Sequence, residues 1–142
     1  MLHTRFLKLA RILGGDFVHE HTAICVSDVE EATALYQQLG YKSIGPTNGP
    51  ARFMENPDQN TRVEIMPSSD PDRVPHEAIA FKTEAEYREA VKILTEHQEI
   101  TQCREHKTEG FKYIMYSHTW NDKIYYLQVL WRKEWFFTGL WN

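Results

Sequence analysis

The chain has 142 residues, a formal net charge of −4 and a pI near 6.0, which suits one domain with a real core and leaves too little length for two independent ones. No Lys/Arg run of the kind that tracks phosphates occurs, which argues against nucleic acid as a partner. No apolar run approaches the ~18 residues of a membrane span, and Cys25 and Cys103 make neither a disulfide framework nor a zinc clip.

The segment "MLHTRFLKLARILGGD" places Leu2, Phe6, Leu9, Ile12 and Leu13 at helical spacing, with Arg5, Lys8 and Arg11 opposite and Gly14-Gly15 as a stop. It reads as an amphipathic helix over residues 1–16. It lacks a small-residue cleavage site after a continuous apolar core, so the chain reads as unsecreted, and its sparse cysteines fit a reducing, cytoplasmic setting.

From Phe17 to Val26 the residues alternate and favour a strand. Ser27 or Asp28 then caps a helix carrying Ala32, Leu35, Tyr36 and Leu39 and stopped by Gly40. Three extended pieces follow, "YKSIG", "ARFME" and "TRVEIM", parted by the turn signals "PTNGP" and "NPDQN". After the linker "PSSDPDR" the order returns: strand "PHEAIAF", cap Thr83, helix "EAEYREAVKILTEH", then "EITQCRE", "GFKYIMYSHTW" and "KIYYLQVLW". Both halves read β-α-β-β-β, as modules at 17–67 and 74–131 of a domain at 17–131. An aromatic tail over 132–142 follows.

An offset of fifty-five residues pairs His21 with His76, Ala23 with Ala78, Ile24 with Ile79, Glu31 with Glu86 and Leu39 with Leu94, which points to duplication. Each module must bury one sheet face under its own helix. Two such sheets about a pseudo-two-fold would make an eight-stranded open barrel with a cleft, an α+β fold suited to a small-molecule substrate.

The histidines head the first strand of each module. Period-2 alternation in "TRVEIM" sets Glu64 between Val63 and Ile65, and the matching place in "IYYLQVLW" is Gln128. A carboxylate at a strand centre needs a partner, because an unpaired buried charge is costly. His21, Glu64, His76 and Gln128 are therefore expected to converge as metal ligands. Two imidazoles and a carboxylate suit Zn, Ni, Co, Mn or Fe as divalent ions, with the Gln128 amide oxygen a weak fourth donor. His19, on the His21 face, is a spare ligand.

Arg62, on the Glu64 face, is a candidate for binding an anionic substrate group, and Tyr126 a candidate pocket residue. Tyr113, Tyr116 and His118 read as core packing with solvated polar groups. The tail gathers Trp135, Phe136, Phe137, Leu140 and Trp141, apolar area enough for a homodimer interface or a lid.

At "HTAICVSDVEEATALYQQLGY" the sequence resembles the vicinal-oxygen-chelate superfamily of glyoxalases, epimerases, extradiol dioxygenases and antibiotic-resistance proteins. The resemblance covers about residues 17–132 and implies paired βαβββ modules with the metal on His21, Glu64, His76 and the strand near Gln128. Family members usually carry glutamate at that last position. Glyoxalase-like members work through a metal-stabilised enediolate, and with Gln128 unable to act as a base the resemblance leaves Glu64 as the catalytic carboxylate. It thus implies a metal-dependent lyase or isomerase acting on a small α-oxygenated carbonyl compound. The alternatives are a metal-free binding protein of the bleomycin-resistance type and an extradiol-type dioxygenase.

Overall fold

The structure is a computed structural model and describes residues 11–14, 17–45 and 49–141. Its strands are β1 (Val18–Val26), β2 (Lys42–Ser43), β3 (Arg52–Asn56), β4 (Thr61–Pro67), β5 (His76–Ala80), β6 (Thr101–Lys107), β7 (Phe111–Trp120) and β8 (Lys123–Arg132). Helix α1 (Val29–Gln38) follows β1 and α2 (Glu84–Thr95) follows β5. The chain is α+β, and the β-α-β-β-β order stands twice. Of the expected N-terminal helix, residues 11–13 are helical and Gly14 closes them at φ +77°, while residues 1–10, 15 and 16 lie outside the described set. Among the described residues no helix is long and apolar enough to cross a membrane.

Local chemistry sets the helix ends. The Asp28 carboxylate accepts the Glu31 amide at 3.0 Å, and the Thr83 hydroxyl accepts the Glu86 amide at 3.2 Å. Each cap thus satisfies an amide that the first turn leaves without a helical partner. The α1 face differs from the expected stripe. Val29, Ala32 and Tyr36 pack on Met54, Val63 and Ile65, while Leu35 and Leu39 stay more than half exposed. A ten-residue helix presents one narrow face, and Val29 at its first position turns that face away from the two leucines.

The chain divides into two compact units. Of the described residues, one holds those up to His19 with Glu77–Glu134, and the other those from Glu20 to His76 with those from Trp135 onward. In the second unit the strand order is β2-β3-β4-β1, with β1 parallel to β4 and the remaining neighbours antiparallel. In the first it is β5-β8-β7-β6, with β5 parallel to β8. The first unit's core joins Ile79, Phe81, Tyr87, Ala90, Leu94, Ile114, Tyr116, Leu127 and Val129.

The registers carry the duplication to single residues. Ala23 lies opposite Glu64 in β1/β4, and Ala78 lies opposite Gln128 in β5/β8. Ile24 opposite Ile65 is likewise repeated as Ile79 opposite Val129. Gln128 is therefore the counterpart of Glu64.

The tail residues Trp135 to Trp141 fold onto their own unit. Phe137 and Leu140 are buried, and Phe136 lies against Gly45, whose φ is +79°. A Cβ at Gly45 would stand 2.4 Å from Phe136 Cδ2, so only glycine fits beneath the ring.

Candidate metal centre

Three side chains from two strands and one strand head meet in the unit formed by Glu20–His76 and the tail. His21 projects from β1, Glu64 from the centre of the neighbouring β4, and His76 opens β5. His21 Nε2 lies 3.4 Å from His76 Nε2 and 3.5 Å from Glu64 Oε1, and His76 Nε2 lies 3.7 Å from Glu64 Oε1. All three side chains are at most 7 % exposed.

The two rings are oriented from behind. His21 Nδ1 meets the buried Glu20 carboxylate at 2.9 Å, and His76 Nδ1 meets the Val74 carbonyl at 2.8 Å. A carbonyl only accepts, so His76 Nδ1 carries the hydrogen and its Nε2 presents a lone pair when the ring is neutral. The same assignment holds for neutral His21 beside a carboxylate. Two nitrogen lone pairs and a carboxylate oxygen then face one another, an arrangement stable only with a positive charge among them.

A divalent metal fits that demand. A triangle with sides of 3.4, 3.5 and 3.7 Å has a point about 2.0 Å from each corner, matching the ~2.0–2.2 Å of metal–imidazole and metal–carboxylate bonds. Among the described residues these three form the group of His, Cys, Asp and Glu donors close enough to hold an ion.

Without a metal, a proton fills the same role. Burial lowers the His21 pKa, but hydrogen bonds to Glu20 and Glu64 outweigh it and push the value up to about 9 from 6.5. The stabilisation from protonated His21 is fully present below pH 6.5 and is lost as pH rises through about 9. The thermal midpoint of chelator-treated protein is therefore expected to fall across that window. A His21→Gln variant should lack this limb, and identical pH profiles for the two proteins would contradict it.

The other expected site residues are distributed as follows. His19 Nε2 pairs with Glu77 Oε2 at 2.6 Å in the other unit. Gln128 is buried in that unit too, its Oε1 without a hydrogen-bond partner among the described residues, and Tyr126 is half-buried on the same strand. Arg62 is buried; its Nε donates to the Glu20 carbonyl at 2.6 Å, and its Nη1 reaches Asn60 Oδ1 at 2.7 Å and Glu55 Oε2 at 3.4 Å. The guanidinium thus braces the backbone that carries His21. Tyr116 bonds Thr95 across the α2 packing, His118 Nδ1 meets the Glu99 carbonyl, and Tyr113 stacks on His106.

Sequence reasoning missed Glu20, Glu55 and the aromatic wall. The Phe53 ring lies 5.5 Å and the Phe137 ring 6.5 Å from the His21 ring, so apolar surface flanks the imidazole.

No protein-family model matches the chain, and no curated protein matches it by sequence. Solved structures do. A glyoxalase I variant from Zea mays superposes with a TM-score of 0.58 at 17 % identity, covering 87 % of this chain and 47 % of that one. A hypothetical protein from Bacillus halodurans gives 0.59 at 15 % identity, covering 84 % and 97 %. The chain has the vicinal-oxygen-chelate fold. A catechol 2,3-dioxygenase is also similar, with a TM-score of 0.51 at 21 % identity over 78 % of this chain and 39 % of that one. The chain thus spans about half the length of the maize enzyme and all but a few per cent of the Bacillus protein. His21, Glu64 and His76 are three of the four residues that the sequence resemblance implies as metal ligands.

Proposed function

We propose that the protein is a glyoxalase-like metal-dependent lyase or isomerase acting on a small α-oxygenated carbonyl substrate. The observation that carries this reading is the convergence of His21 Nε2, His76 Nε2 and Glu64 Oε1 within 3.7 Å of one another. A divalent ion held by these residues would supply Lewis-acid polarisation of a substrate oxygen. The chain's own groups supply the rest. Each histidine spends Nδ1 on a protein acceptor and keeps Nε2 for the ion. Glu64 is the carboxylate of the set able to take a proton from the carbon beside a carbonyl and return it. Phe53 and Phe137 keep water from one flank of His21.

The test is hydrogen exchange at carbon. Protein reconstituted with Zn, Ni, Co or Mn is incubated in deuterated water with dihydroxyacetone or with a coenzyme A thioester bearing an α-proton, and proton NMR follows that signal. Catalysed exchange is expected, reduced about 10²- to 10⁴-fold by Glu64→Gln at matched metal content. No exchange by the loaded protein with either probe would count against the reading.

One observation favours a second reading. Two histidines and one carboxylate are also the donor set of non-haem Fe(II) oxygenases. Oxygen uptake with catechol by the Fe(II)-loaded protein, without carbonyl-probe exchange, would move the assignment to ring cleavage.

A further inference from the structure

We propose that Glu20 is a positioning residue for metal binding: its buried carboxylate fixes the His21 ring with Nδ1–H outward and strengthens Nε2 as a donor to the ion. This rests on the metal reading of the His21–Glu64–His76 group and deepens it. Glu20 has no solvent-exposed surface. A carboxylate in such a place costs several kcal/mol unless it is held by donors. It sits 2.9 Å from His21 Nδ1, and its own backbone carbonyl is pinned by Arg62 Nε at 2.6 Å. Side chain and main chain of one residue are thus both committed to the placement of its neighbour.

The repeat sharpens the point. At the fifty-five-residue offset Glu20 corresponds to Pro75, which has no carboxylate, and His76 Nδ1 relies on the neutral Val74 carbonyl instead. The two imidazoles are therefore unequal. His21 is backed by a full negative charge and His76 by a dipole. A carboxylate behind a metal-bound imidazole fixes its tautomer and raises its basicity, and removing such a partner typically costs about 10- to 100-fold in metal affinity. Two substitutions separate the components. Glu20→Gln keeps an oxygen that can accept from Nδ1–H while deleting the charge; Glu20→Ala deletes both.

The experiment titrates Co(II) into the full chain against a competing chelator, follows the cobalt visible spectrum, and records the histidine ring nitrogens by NMR at pH 10 without metal. The wild type is expected to bind one equivalent. Glu20→Gln should weaken binding about 10- to 100-fold and retain Nδ1–H on His21, and Glu20→Ala should weaken it at least as much and lose that tautomer preference. Co(II) affinities of both variants within about twofold of wild type would overturn the proposal. Failure of the wild type to bind Co(II) would overturn the metal reading instead. In that case the NMR decides the remaining claim: Nδ1–H on His21, lost in Glu20→Ala, upholds the positioning role, and an unchanged tautomer in the variant rejects it.

Discussion

Replacing His76 with alanine is expected to abolish stoichiometric metal binding and leave the fold nearly intact, whereas replacing His21 is expected to abolish binding and destabilise the protein. The loss of affinity should exceed about a hundredfold in each case, because even an outer partner of a metal-bound histidine is worth about 10- to 100-fold. The stabilities diverge because the histidines have different neighbours. His21 stands between two buried carboxylates, Glu20 at 2.9 Å and Glu64 at 3.5 Å. Its removal leaves both without their shared cationic partner, a loss of about 3 to 5 kcal/mol when a buried pair is broken from one side. His76 gives up a backbone carbonyl bond at 2.8 Å and a longer 3.7 Å approach to Glu64, and His21 remains to neutralise the carboxylates. Metal analysis after reconstitution and chemical denaturation of the chelated proteins read the two effects separately. Stoichiometric metal in His76→Ala would remove it from the ligand set, and equal stabilities of the two variants would refute the asymmetry.

The same asymmetry shows what could be read from the chain. Strand period and cap residues are local signals, so both β-α-β-β-β modules were legible, and the duplication aligned His21 with His76 and Glu64 with Gln128 before any contact was known. Glu20 was not legible. Consecutive strand residues face opposite ways, so a carboxylate next to His21 gives no sign that it will reach the ring. The role of Arg62 was hidden for a related reason: its acceptors include a backbone carbonyl 42 positions away, to which side-chain identity gives no clue. Leu35 and Leu39 fit helical spacing but stay exposed, since periodicity gives a stripe without saying which edge of it meets the sheet. The tail's apolar content was plain, but its seat depends on contacts with Glu55 across 83 and 84 positions, beyond any local pattern.

That seat leads to the other large effect. Glu55→Ala is expected to destabilise the protein by about 3 to 5 kcal/mol and to release the aromatic tail. The Glu55 carboxylate is 2 % exposed and accepts from the Thr138 amide at 2.9 Å, the Thr138 hydroxyl at 2.7 Å, the Gly139 amide at 3.1 Å and Arg62 at 3.4 Å. Removing it takes the Glu55 carboxylate away from the buried Arg62 guanidinium, which keeps the Glu20 carbonyl and Asn60, and frees the segment holding Phe136 and Phe137, whose rings lie 5.2 and 5.8 Å from that of Phe53. The pH dependence has a definite sign. Burial raises the Glu55 pKa, but its bonds to Thr138, Gly139 and Arg62 outweigh that and hold it below its ordinary 4.5. The stabilisation is present above pH 4.5 and is lost as pH falls through the depressed value, so wild type should weaken in acid by a limb that the alanine variant lacks. Truncation before Trp135 removes the Thr138 and Gly139 donors but leaves Arg62 paired with Glu55. A denaturation cycle combining Glu55→Ala with that truncation should therefore show coupling, the substitution costing less in the shortened chain. Strict additivity would mean that the carboxylate does not hold the tail. Release should also shift tryptophan emission, because Trp135 and Trp141 pack edge to face at 5.0 Å in the closed tail. With Phe137 gone from the flank of His21, the His21–Glu64–His76 group would stand open to water on that side, so for protein reconstituted with metal a chelator should strip the ion faster from Glu55→Ala than from wild type.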